Sequence, residues 1–244
     1  MTRCIPSQDS PGAPCPRYFF VAAYATAGAE QPSPSRRQRP RGCPATTLDL
    51  YPAPDAQVGS LSMGKTPISS YDLTALREAS GCDIRGVLGM QFLKDWIITI
   101  DFDEGRLDFL PPRTAKQPEW GKNIPFEYGS TGIPRVHATL GKDIESSFAV
   151  DTGDSGTGNI DEAFLMLLVG LNEARMTGID KNMTLSGPHS SDAARLSRLT
   201  IGSFRHENLR FTGGKQDDLG LRYLSRYRVT IDFQNRQLYL AEGK

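Results

Sequence analysis

The sequence predicts an all-β fold with a few short helices, and three observations carry that prediction. Short apolar, β-branched runs end at glycines or at polar turn residues, as strands do. One pattern occurs twice. Leu88-Gly89-Met90-Gln91-Phe92-Leu93 matches Leu219-Gly220-Leu221-Arg222-Tyr223-Leu224 at an offset of 131 (219 − 88), and Thr99-Ile100-Asp101-Phe102 matches Thr230-Ile231-Asp232-Phe233 at the same offset. Third, Phe148-Ala149-Val150-Asp151-Thr152-Gly153 is an apolar strand ending in a carboxylate, a hydroxyl and a glycine. Glycine there lets the backbone turn tightly and approach a neighbour closely.

The elements follow in chain order. Residues 1–55 are rich in Pro, Arg, Ser and Ala without a helical or strand period, and are expected to be disordered. Within them, Arg36-Arg37-Gln38-Arg39 reads as a solvated stretch among prolines. Tyr18 to Ala27 is apolar, follows Arg17 and ends in small residues, the shape of a signal-peptide core that would imply export. The proline-rich stretch ahead of it is long for a signal, so the compartment stays open.

From residue 56 the pattern changes. Leu61-Ser62-Met63-Gly64 reads as a strand entering a turn, and pairs with Leu199-Thr200-Ile201-Gly202 at an offset of 138 (199 − 61). Trp96 to Ile100 reads as a strand, Asp103-Glu104-Gly105 as a turn, and Arg106 to Leu110 as the returning strand, stopped by Pro111-Pro112. Residues 56–112 thus form a truncated first copy and residues 113–122 a linker. The first copy cannot close a β lobe alone. Its apolar residues Leu88, Phe92, Trp96 and Ile98 are expected to pack on the second copy or on residues 18–27.

The second copy spans residues 123–244. Val136 to Leu140, the turn at Gly141-Lys142, and Ile144 to Val150 read as a hairpin. Asn159 and Glu162 have capping-box spacing and precede a buried helix predicted over Ala163 to Arg175. Residues 177–194 read as a polar loop or mobile hairpin, Leu199 to Gly202 as a strand, and Val229 to Leu240 as a closing hairpin around Gln234-Asn235. Asp101 and Asp232, in matching strands, read as outward strand or turn charges.

Composition excludes some classes. Lys+Arg and Asp+Glu are both 28, so no basic excess exists to displace counterions from a nucleic acid. No run of 18 apolar residues predicts an integral membrane segment. The four cysteines form no C-x-x-C pair and, with three histidines, show no zinc-ligand spacing. No metal or cofactor is expected, and no disulfide framework. His137, His189 and His206 have no triad partner that spacing suggests.

The order of elements around Asp151-Thr152-Gly153, from Asn123 to Leu240, resembles the retropepsin-like aspartic proteases, and in particular the small bacterial aspartyl-protease domains of the pepsin/retropepsin clan. The family's second signature, two apolar residues and Gly before a helix, is matched at Leu219-Gly220 and more closely at Val87-Leu88-Gly89. The resemblance implies a closed β lobe in which Leu219-Gly220 braces the Asp loop. It implies two facing lobes, each giving one Asp, that share a proton and activate a water to hydrolyse a peptide bond. Asp151 would then be the catalytic carboxylate. Thr152, Gly153 and Asp154 would complete its loop, with Thr152 reaching across to hold the two loops together. The substrate would be a peptide or protein.

The sequence departs from that pattern in three ways. Asp154 follows the triplet where the family has a small residue, and Asp218 replaces the first apolar residue before Leu219-Gly220. The first copy has no Asp-Thr-Gly or Asp-Ser-Gly. Carrying the second copy's spacing back from Leu61 lands on Ala13, so its front half is expected to be absent. Three readings remain. A homodimer supplies the second Asp to an aspartic endopeptidase; or the chain is a catalytically inactive peptide-binding or interaction domain; or a complete first lobe lies upstream of the sequence given.

Overall fold

The computed structural model describes residues 20–21, 50–51, 57–63, 68–69, 73–84, 86–184 and 187–243. The expectations for the rest of residues 1–55, including the arginine cluster and most of the signal-like stretch, lie outside the described residues.

The chain is all-β, with short helices at Thr74–Ser80, Met90–Leu93, Glu162–Gly170 and Leu221–Leu224 among the described residues. Pro134–Leu140 alternates buried and open positions, as a half-buried strand must. It pairs antiparallel with Ile144–Val150 on one side and with Lys122–Tyr128 on the other. Lys122–Tyr128 continues into Gln237–Glu242, then Tyr227–Asp232, then Ile97–Asp101, and ends at Arg106–Leu110. A second sheet is built from Asn159–Asp161, Arg210–Gly214, Gly187–Leu196 and Ala174–Thr184.

The two matching sequence segments meet in the first sheet. Ile97–Asp101 pairs antiparallel with Tyr227–Asp232 so that Thr99 lies opposite Thr230, its own repeat equivalent. An antiparallel pair in which equivalent residues face each other has a local two-fold through that point. The two threonine hydroxyls share a buried hydrogen bond of 3.0 Å on it. The copies also keep the same turn geometry. Gly89 and Gly220 both precede their helices in extended backbone, at φ −91° and −90°. In each, the third and fourth residues after the Gly-led turn donate back to that glycine's carbonyl, from Phe92 and Leu93 in one and from Tyr223 and Leu224 in the other. Leu88, Phe92, Leu93 and Ile98 lie in one continuous core with Phe148, Leu219, Leu224 and Val229.

A shorter parallel pairing is also repeated. Ala149 and Val150 lie beside Asp218 and Leu219. Phe20 and Val21 lie beside Val87 and Leu88. The 113–122 stretch is tied down: Trp120 is buried against Ile97 and Tyr239, the two rings 5.2 Å apart.

Several sequence expectations need correction. The helix is capped by Asp161, whose side chain accepts from the Phe164 N–H at 3.1 Å, and it ends at Gly170 rather than Arg175. Asn159 is a strand residue whose side chain is already engaged by Asp218 and Thr212. Where a polar loop or mobile hairpin was expected over residues 177–194, the strands Ala174–Thr184 and Gly187–Leu196 pair antiparallel along their length. Asp232 is turned inward, 2% exposed, and fastens its turn by accepting from the Asn235 backbone at 3.0 Å and side chain at 2.7 Å. Asp101 does accept a turn N–H, from Glu104 at 3.0 Å, and faces Arg228 at 3.8 Å. Cys82 is disulfide-bonded.

Candidate active site

Asp151 leaves the end of Ile144–Val150, where Phe148, Ala149 and Val150 are all buried. The strand cannot drift, because Phe148 meets Phe211 edge to face at 5.9 Å and Val150 is paired with Leu219. The Asp151 N–H donates to the Leu219 carbonyl at 3.0 Å, which extends the parallel pairing by one residue and fixes where the carboxylate begins. Asp151 Oδ1 accepts from the Gly153 N–H at 2.8 Å, a local turn that an Asp side chain makes with its own backbone two residues on. Asp154 repeats the motif with the Gly156 N–H at 2.8 Å.

Leu219-Gly220 braces this loop by three backbone bonds. Gly220 donates to the Thr157 carbonyl at 2.9 Å, Leu221 to Asp154 at 2.7 Å, and Arg222 to Gly156 at 2.8 Å. The approach is possible only because residue 220 is glycine: a Cβ there would lie 2.4 Å from the Gly156 carbonyl oxygen and 2.5 Å from Asp154 Oδ2. Gly158 is as constrained. Its φ is +142°, and a Cβ would meet the Asp218 carbonyl oxygen at 2.0 Å.

The loop is unusually acidic for its burial. Asp151 is half-buried, and loss of solvation raises its pKa. The Gly153 N–H opposes that shift, and the charge of Asp154 adds to it. Burial also raises Asp154, against the Gly156 N–H and the nearby Arg222. Asp154 Oδ2 is buried with no hydrogen-bond partner among the described residues. Asp218 is raised furthest, to about 7, by burial and then by the charge of Asp154, against two hydrogen bonds from Asn159. Beside it, buried Asp217 accepts from the Asp161 N–H at 2.8 Å and from the Ser146 hydroxyl.

Thus Asp151, Thr152, Gly153, Asp154, Leu219 and Gly220 are brought together in one loop system. Asp218 was visible in the sequence as a charge in an apolar slot. Asp217 was missed: nothing in its spacing signals that it bridges the Ser146 and Asp161 strands. Thr152 is buried and lines a small apolar cavity with Leu93, Ile98 and Ile100 of the first copy. It therefore lies on the side of the loop that faces that copy. The hydroxyl of Tyr227 lies 2.6 Å from His206 Nε2.

No group of three or more His, Cys, Asp or Glu among the described residues is placed to hold a metal ion, and no helix is long and apolar enough to cross a membrane.

No family model and no curated protein matches this chain. Among solved structures, the crystal structure of a retropepsin-like aspartic protease from Rickettsia conorii aligns with 49% of this chain and 89% of its own, at 22% identity and a TM-score of 0.37. That alignment spans about half of this chain.

Proposed function

We propose that this chain is an aspartic-peptidase-like domain that binds an extended peptide in front of Asp151 and hydrolyses it only when a second carboxylate faces that residue. The observation that carries the reading is the braced loop. Asp151 is fixed by the Leu219 carbonyl and the Gly153 N–H, and Gly220 admits the loop at distances no other residue allows.

The chemistry needs two groups. One carboxylate takes a proton as water attacks the peptide carbonyl, and the other donates one to the tetrahedral intermediate. Two carboxyls at short range share a proton because both cannot ionise together, which sets one as base and the other as acid. Asp154 and Asp218 are poor candidates for the second role. Asp218 is buried and both its oxygens accept from Asn159; Asp154 is half-buried, its Oδ1 is held by the Gly156 N–H, and its Oδ2 is enclosed behind Gly220.

A homodimer could supply the second Asp. The Thr99–Thr230 pairing favours the other reading, peptide binding without turnover by a single chain. The edge of Tyr227–Asp232 is already covered by Ile97–Asp101 of the same chain, so a partner copy would have to displace it to pair there.

The test is a peptide-library digest at acidic to neutral pH, with pepstatin and Asp151→Asn as controls and protein concentration varied. Pepstatin-sensitive cleavage that rises with dimer fraction and vanishes in Asp151→Asn is the peptidase outcome. Binding without cleavage at every concentration is the single-chain outcome. Cleavage that Asp151→Asn leaves unchanged contradicts both.

A further inference from the structure

The base of the long hairpin carries a row of like charges. Arg175 on Ala174–Thr184 lies directly opposite Arg195 on Gly187–Leu196, and Arg195 lies directly opposite Arg210 on Arg210–Gly214. The alternate positions Ala174, Leu196 and Phe211 are buried, so the three arginines share the outer face of the second sheet. Like charges placed directly opposite on neighbouring strands destabilise a sheet, because their side chains leave the backbone only about 5 Å apart. One of the three is neutralised. Arg210 Nη1 meets Asp180 Oδ2 at 2.6 Å, and its Nε donates to the Thr177 hydroxyl at 3.0 Å. The other two meet no carboxylate. Arg195 Nη1 donates to the Asn208 carbonyl at 2.7 Å, and Arg175 has no hydrogen bond or ion pair among the described residues.

Arg175 and Arg195 line an open cleft of about 360 Å³. Asn172 and Asn208, which also line it, are both in the left-handed region at φ +60° and +59°, a conformation that asparagine tolerates. The one carboxylate in the lining is engaged elsewhere. Glu173 Oε2 accepts from the Ser197 hydroxyl at 2.6 Å and lies against Gly141, where a Cβ would collide with it. The cleft therefore presents two guanidinium groups with N–H donors to spare. Each is a planar fork that matches a carboxylate. The cleft is also tied to the Asp loop through one sheet. On the strand beside Arg195, Thr212 follows Arg210 by two residues on the same face and donates to Asn159, whose side chain holds Asp218.

Resting on the peptide-binding reading for its occupant, we propose that Arg175 and Arg195 form a carboxylate-binding cleft that docks an acidic segment of the peptide, apart from the Asp loop. The domain then selects peptides that carry neighbouring Asp or Glu residues. Carboxylates bridging the two arginines relieve a repulsion that the free chain leaves in place.

The test uses the full chain and two probes, acetylated tetraglutamate amide and its tetraglutamine counterpart, with binding read by fluorescence anisotropy and by NMR of the arginine Nε–H groups. Tetraglutamate is expected to bind, to shift the Arg175 and Arg195 signals, and to bind more weakly as salt is raised. The double variant Arg175→Gln, Arg195→Gln should lose about tenfold or more in affinity, as expected for loss of charge-assisted bonds. Arg106→Gln, which removes an exposed arginine paired with Asp108 on the far edge of the other sheet, should change it by less than about twofold. Should the double variant not fold, Arg175→Gln alone removes no partner and gives the same comparison. Equal binding of both probes, an unchanged affinity in the folded variant, or displacement of nothing but inorganic phosphate from the cleft overturns the proposal.

The peptide library then separates this proposal from the reading beneath it. Peptides that bind at the Asp151 loop with no preference for acidic residues overturn the cleft's role and leave the peptide-binding reading standing. Tetraglutamate held at Arg175 and Arg195, with no library peptide shifting the Asp151 loop, supports the cleft and contradicts that reading.

Discussion

The two Leu-Gly cradles differ in what they carry. Around Leu219-Gly220 sit Asp151, Asp154 and Asp218, each with its pKa raised by burial. Around Leu88-Gly89, the residue matching Asp218 is Val87. The short helix after each Leu-Gly turn (Met90–Leu93 and Leu221–Leu224) and the hairpin that follows it (Ile97–Asp101 with Arg106–Leu110, Tyr227–Asp232 with Gln237–Glu242) recur in both segments, which meet at Thr99–Thr230. Burying a carboxylate is costly unless it is well paired. Asp151 and Asp154 on the loop and Asp218 on the strand that braces it are three such groups, and Asp154 Oδ2 has no partner among the described residues, whereas the slot matching Asp218 beside Gly89 holds an apolar residue. The difference separates what the fold requires from what the site requires: strands and the glycine turn belong to the fold, carboxylates to the site.

If the copies share one core, equivalent truncations in each should cost alike. Leu93 and Leu224 are repeat equivalents, 2% and 0% exposed, within a single cluster. Leu93→Ala and Leu224→Ala should each lower unfolding free energy by about 2–5 kcal/mol in urea titrations. A loss below about 1 kcal/mol for Leu93→Ala alone would make the first copy an appendage.

The carboxylates should show in the pH dependence. Asp218 has a folded pKa raised to about 7 from 3.8. Its favourable contribution is therefore complete below about pH 4, where both states are protonated, and is lost as pH rises through 7. Such a shift corresponds to at most ~4 kcal/mol. Asp218→Asn should stabilise the chain by roughly 2 kcal/mol at pH 8, less than the limit because the amide must also take up the Asn159 bonds. The gain should shrink toward zero at pH 4. Equal effects at both pH values would mean that Asp218 is ionised in the folded state.

A smaller effect tests the two-fold. Removing one of two paired buried hydroxyls strands the other, while removing both leaves apolar surface. Thr230→Val should cost about 1 kcal/mol, and Thr99→Val with Thr230→Val together should cost less than the sum of the singles, with coupling near the same size in a double-mutant cycle. Additive losses would show that the threonines do not share a bond. Smallest of all, Asp151→Asn should leave stability at pH 7 unchanged or raise it by a few tenths of a kcal/mol, since it removes a carboxylate whose folded pKa is raised.

Much of this was legible in the sequence. The repeat is visible because a glycine turn and an apolar strand leave fixed patterns, and the Asp loop because it follows a strand with no polar residue in its last three positions. Helix ends were not. Asn159 looks like a cap by spacing, yet tertiary bonds to Asp218 and Thr212 claim its side chain and leave the cap to Asp161. Asp232 looks like an outward charge until its turn bonds to Asn235 are seen. The pairing of Phe20–Val21 with Val87–Leu88 was hidden because a contact that is parallel and two residues long leaves no local pattern.

The central claim is that one chain carries one competent carboxylate, Asp151, and so binds peptide without cutting it. The direct measurement is a peptide-library digest by protein shown to be monomeric by sedimentation at the assay concentration, with peptide binding followed in parallel. The account predicts binding and no pepstatin-sensitive product. Cleavage by the proven monomer, abolished by Asp151→Asn, would contradict it and place a second acid within this chain.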